Sequence, residues 1–162
     1  MTRSEYLALR RPYEPETVKL IVVAESPPRS GKYFYNREGQ QTEPLFAAMM
    51  GQLGLPYTTK HEGLLNFQQC GWILVDATYE PVDQHGDAPI RNQIIERDYP
   101  QLLHDLKALS PNSSAPVVLI KANVCRLLQD RLAREGFNVL NRGDVVFFPL
   151  QRATGTISSA VQ

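Results

Sequence analysis

Apolar residues fall into two kinds of run along this chain. Short, dense, β-branched runs alternate with longer stretches in which apolar positions recur every three or four residues. Val18 to Ala24 (VKLIVVA) is of the first kind, and predicts a strand covered on both faces. It stops at Ser26-Pro27-Pro28, where two prolines remove ladder donors. Trp72 to Val75 predicts a second buried strand and Pro116 to Ile120 a third. Phe137 to Leu140 and Val145 to Phe148 read as two more short strands. Glu43 to Leu53 reads as a helix, with Leu45, Phe46, Met49, Met50 and Leu53 at helical spacing. Pro44 suits its first turn and Gly54 its end. Arg91 to Leu109 reads as a longer helix that Pro100 should kink or split. Ala122 to Glu135 is a third helix, with Val124, Leu127, Leu128 and Leu132 inward and Gly136 closing it. The rest reads as loop: the polar lead Thr2 to Thr17, then Arg29 to Gln41, Pro56 to Gln69, and Asp83 to Pro89. The small polar tail Gln151 to Gln162 shows no convincing final helix.

Strands that alternate with helices predict an α/β protein, a three-layer αβα sandwich around a mostly parallel sheet of about four strands. The first strand should lie inside that sheet. One domain is expected over residues 1–162, since domains run to about 100–150 residues. Parallel strands share one carboxyl edge, where ligands of such folds bind. The polar exits to inspect there are Glu25 to Asn36, Asp76 to Glu80, Lys121-Ala122-Asn123, and Phe148 to Arg152.

Composition narrows the chemistry. Hydrophobic residues make up 43% and charged residues 21%, enough for a core and against disorder. Seventeen basic residues balance 17 acidic ones. Neutrality excludes a protein that coats nucleic acid by bulk charge but leaves room for a local basic groove. Two Cys and three dispersed His supply no disulfide framework, no iron–sulfur cluster and no zinc spacing. No metal or cofactor is expected. No apolar run approaches the roughly 20 residues of a membrane helix, and Met1 to Arg11 lacks the apolar core of a secretory signal. The expectation is a cytoplasmic monomer. Ser30-Gly31-Lys32 fails as a phosphate loop, because Ser26 stands where its first Gly belongs and Tyr33 follows the Lys. There is no G-x-G-x-x-G, no G-x-S-x-G, and no second His after His61-Glu62. Cys70 and Cys125 read as inert thiols.

One pattern survives. Ala24-Glu25-Ser26-Pro27-Pro28, at the end of the first strand, resembles the G-E-A-P-G first motif of the uracil-DNA glycosylase superfamily, in its cluster-bearing bacterial and archaeal branch. Later features follow in that family's order. Gly31 and Tyr33-Phe34-Tyr35 stand where it has a Gly and an aromatic on a loop. Leu53-Gly54-Leu55 matches the L-G-L that ends its helix. Asp76 and Pro81 match the polar residue and Pro after its second strand, and Lys121-Ala122 stands near its G-x-x-A. Phe147-Phe148-Pro149-Leu150 stands at its second motif. The resemblance spans roughly residues 18–152.

The resemblance implies roles. Glu25 would position a water that attacks C1′ of a flipped deoxyribose and stabilise the charge that builds on the sugar. Phe34, or Tyr35 one residue on, would stack on the base, which is worth about 1–3 kcal/mol. Asp76 and Gln151 would contact the base edge. Arg29, Lys32 and Arg152 would hold backbone phosphates, with Arg37 and Arg142 nearby. DNA or a nucleotide is the implied partner. Two positions depart from the pattern. Uracil-specific members carry Asn where Asp76 stands, and an ionised carboxylate only accepts hydrogen bonds. Burial that raised the Asp76 pKa would restore a donor. The family's motif-two His is replaced by Phe148, which cannot stabilise a departing base anion. Its cluster cysteines are absent.

Each residue also has a plainer reading. Glu25 and Asp76 would cap turns, the aromatic cluster would be core, and the basic residues would be solvated loop. Three functions stay open: hydrolysis of an N-glycosidic bond, non-catalytic binding of a nucleobase or nucleic acid, and binding of a small metabolite at the sheet edge.

Overall fold

A computed structural model describes residues 1–141 of the chain. The three dense runs form the strands β1 (Leu20–Ala24), β2 (Trp72–Asp76) and β3 (Val117–Leu119), all of whose residues are buried. They pair in parallel in the order β2-β1-β3, with β1 central as expected. Five helices accompany them: α1 (Arg3–Arg10), α2 (Pro44–Leu53), α3 (Lys60–Gln69), α4 (Ala88–Leu109) and α5 (Ala122–Arg134).

The period of two along each strand divides the core. Leu20, Val22 and Ala24 face a cluster built with α1, α2 and α3 through Tyr6, Phe46, Met49, Leu64 and Phe67. Ile21 and Val23 face a second cluster built with α4 and α5 through Ile95, Leu102, Leu106, Leu128 and Leu132. Helices therefore cover both faces of the sheet.

Two helices lie where the sequence reads as loop. Thr2 accepts from the Glu5 amide while Glu5 reaches back to the Thr2 amide, a capping box that starts α1. α1 is amphipathic, but its buried face holds Tyr6 and Arg10 rather than aliphatics. In α3 the Thr59 hydroxyl caps the Glu62 amide at 3.1 Å. Gly63 faces α2 so closely that a Cβ would sit 2.7 Å from the Phe46 ring. Gly in a helix thus has a packing reason that periodicity conceals.

Pro100 does not split α4, which runs unbroken for 22 residues. Pro100 is exposed, as is Glu96 one turn earlier, so the carbonyl that loses its helical donor lies on the solvent side. Among the described residues the sheet has three strands rather than four. Residues 137–140 contribute one parallel bridge, Val117 to Val139. Next to it the Asn141 side chain pairs with the β3 backbone: its Oδ1 accepts from the Leu119 amide at 2.9 Å and its Nδ2 donates to the Leu119 carbonyl at 2.8 Å. The strand expected at residues 145–148 lies outside the described residues.

β2 is an edge strand of the described sheet, and Tyr35 covers part of that edge. The buried Leu74 amide donates to Tyr35 Oη at 2.8 Å. Tyr35→Phe keeps the ring and leaves that amide unpaired. We expect a loss of about 1–3 kcal/mol in denaturant unfolding, with the slope of the unfolding transition unchanged.

Candidate functional site at the carboxyl edge of the sheet

The three strand exits meet around one cavity of about 310 Å³. Glu25, Phe34 and Asp76, which are far apart in sequence, all line it. Its size is at the lower end of the roughly 300–1,000 Å³ of ligand pockets. Pro27, Pro44, Leu45, Phe46, Leu74 and Ile120 supply apolar wall.

The exit of β1 is fixed on both sides. Ser26 Oγ accepts from the Val82 amide at 3.1 Å. The Arg29 amide donates to both Asp83 carboxylate oxygens, at 2.9 and 3.1 Å. Glu25, which precedes them, is 7% exposed. Its Oε1 accepts from Lys121 Nζ at 2.9 Å and its Oε2 accepts from Asn123 Nδ2.

The aromatic loop is fastened from beneath. Lys60 is buried, and donates to Glu43 Oε2 at 2.8 Å and to the Tyr33 carbonyl at 2.9 Å. Burial pulls the Lys60 ammonium below its usual pKa, and Glu43 opposes that pull. A Cβ on Gly39 would lie 2.2 Å from Glu43 Oε1, so only glycine leaves the pair its space. Tyr33 and Phe34 line the cavity. Phe34 is held edge-on by Tyr35 and Phe67, at 4.8 and 5.1 Å between ring centroids. Tyr35 is fully buried, and it lies in the core rather than in the cavity wall.

Asp76 ends β2 opposite Ala24. It is 3% exposed, and its Oδ2 has no hydrogen-bond partner among the described residues. The nearby Tyr33 Oη is likewise unpartnered. Burial pushes the Asp76 carboxyl up to about 8, against the opposing charges of Arg10 and Lys121. Arg10 cannot do more, because its guanidinium is committed to Asp105 at 2.7 and 2.9 Å. Asp76 is therefore mainly neutral at pH 7, and carries a donor as well as an acceptor. Its ionised form, which the sequence suggests by default, is the minor one.

The exit of β3 is strained. Lys121 has φ 77° and ψ 145°, a region nearly reserved for glycine. Such a conformation costs about 1–3 kcal/mol and persists mainly where the surroundings hold it. Here the Lys121 side chain is tied to Glu25 and α5 starts at the next residue. Lys121, Asn123 and Lys60 were not among the residues that the sequence singles out as site candidates. The polar exit at 121–123 was the available signal for the first two; nothing in the sequence marks Lys60.

Of the basic residues, Lys32 lines the cavity, and Arg29 is exposed beside it without entering the wall. Arg142, Phe148, Gln151 and Arg152 lie outside the described residues. Among the described residues no group of three His, Cys, Asp or Glu side chains is placed to hold a metal ion, and no helix is long and apolar enough to cross a membrane. Cys70 is half-buried, and Cys125 is buried with its Sγ donating to Gln129 Oε1 at 2.9 Å. Comparison with family models, curated proteins and solved structures returns no match.

The raised pKa of Asp76 makes stability depend on pH with a definite sign. Below pH about 4, both folded and unfolded chains hold the proton. Between about 4 and 8 only the folded chain holds it, so stability falls as pH rises, by about 1.4 kcal/mol per unit from this group alone. Above the folded pKa the loss is complete. Asp76→Asn does not titrate. Its Tm should exceed that of the native chain by a margin that is small at pH 4.5 and grows to several degrees at pH 8. Thermal unfolding at stepped pH checks this.

Proposed function

We propose that the cavity binds a nucleobase and that the chain is a uracil-DNA-glycosylase-like hydrolase of N-glycosidic bonds. The four-stranded form of the sheet belongs to the same proposal. The observation that carries the reading is Asp76, a buried neutral acid beside an aromatic ring in an apolar slot, with Glu25 at the strand exit next to it. A protonated carboxyl offers an O–H donor and a C=O acceptor side by side. That pair complements the C=O and N–H of a lactam edge, as in uracil, hypoxanthine or xanthine. Phe34 gives the base an apolar neighbour, and Glu25 lies where a carboxylate would orient water and stabilise a cationic sugar. Lys32 and Arg29 supply cations at the rim for phosphate.

A second reading, a binding module without catalysis, draws on Glu25 itself. Both of its oxygens are engaged, by Lys121 and Asn123, which weakens it as a base. Phe148 adds to this, since the family's His contact is lost there, a change of about 10²–10³ in rate where one electrostatic donor is removed.

Single-turnover incubation with oligonucleotides bearing uracil, hypoxanthine or xanthine, followed by alkaline cleavage of abasic sites, separates the two. We expect slow base release by the native chain, at least tenfold slower in Glu25→Ala with substrate affinity retained. Binding without release of any base supports the module. Neither binding nor release removes both readings.

A further inference from the structure

Lys121 has three properties that a phosphate-binding lysine would not need. Its amine sits 2.9 Å from a carboxylate oxygen of Glu25, which would repel an approaching anion. Its side chain is 43% exposed against 7% for that of Glu25, and both line the cavity. Its backbone lies in a region that suits glycine, yet a lysine occupies it, tied to the cavity wall. Both side chains line the cavity, so a carbonyl held there would meet an amine with a carboxylate in place to carry its protons.

We propose that Lys121 forms a Schiff base with the aldehyde of a base-free sugar, with Glu25 as its proton carrier. This inference rests on the nucleobase reading of the same cavity, since removal of a base leaves a sugar whose open-chain form is an aldehyde at C1′. The Lys121 ammonium passes a proton to Glu25. The freed lone pair attacks C1′, the C=O π bond breaks, and an amine proton moves to the oxygen. Glu25 returns its proton, water departs, and the C1′=N double bond forms. The net change is one ammonium and one aldehyde to one protonated imine and one water. No oxidant or further reactant enters. Lys60 is unsuited to this role, because it is buried against Glu43 and the Tyr33 carbonyl.

The test uses an oligonucleotide with a pre-formed abasic site, so that no base need be removed, and cyanoborohydride to reduce any imine to a stable amine. The native chain should form a covalent adduct, and peptide mass mapping should place it on Lys121. Lys121→Arg keeps a cation for Glu25 but forms no imine, and Lys121→Gly suits the backbone. Both should lose at least tenfold of the adduct while remaining folded. Glu25→Gln should slow trapping. No adduct with the native chain, or an adduct that maps elsewhere or persists in both Lys121 variants, overturns the inference. Base release measured in parallel separates the two proposals. Release without an adduct overturns the role of Lys121 and leaves the nucleobase reading standing. An adduct without release of any base supports Lys121 and counts against hydrolysis.

Discussion

The parallel register that seats Ala24 opposite Asp76 governs where the polar groups of this protein can lie. β1 is paired on both sides, and both of its faces are buried. Nothing polar is accommodated along its length, so chemistry is displaced to its end. There the chain leaves β1 at Glu25, β2 ends on Asp76, and β3 gives way to Lys121. Two prolines after Ser26 prevent further pairing and let the β1 exit open over the sheet edge. The aromatic loop and the start of α2 then close over that opening and leave the cavity between them.

Much of the charge in and around the cavity is organised in pairs, and Asp76 stands outside them. Arg10 meets Asp105, Lys60 meets Glu43, and Lys121 meets Glu25. In each pair at least one partner is buried, where removal of a single member would be costly. Asp76 has no ion-pair partner among the described residues. A buried acid without a partner keeps its proton, whereas Glu25 at the adjacent strand exit accepts from Lys121 and Asn123. The two acids are thus held differently: Glu25 by two donors, Asp76 without one on its Oδ2 among the described residues. Lys60 holds the Tyr33 carbonyl from beneath and so fixes the backbone next to Phe34.

Much of the framework was legible because three strands are short, β-branched and bounded by turn residues. α2 and α5 were legible by their apolar spacing. α1 and α3 were not, since each buries aromatic or basic side chains in place of an aliphatic stripe. Their Thr-x-x-Glu starts were the signals to weigh. The contact of Asn141 with β3 was hidden, because a side-chain amide pairing with the Leu119 backbone is encoded by no strand pattern. Glu25, Phe34 and Asp76 were found as strand-exit and loop residues, and they do share a wall. Tyr35 fell on the core side, where its hydroxyl serves β2. Neither the strain at Lys121 nor the neutrality of Asp76 could be read from residue type, since both arise from where the backbone and the surrounding charges place them.

The account turns on Asp76 being a neutral acid in the folded chain at physiological pH. The direct measurement is a carbon-13 NMR titration of its side-chain carboxyl, assigned by the loss of the resonance in Asp76→Asn. The carboxyl shift should hold its protonated value through pH 6 and move with a midpoint near 8. A midpoint below 5, the ordinary range of a solvated aspartate, would contradict the account.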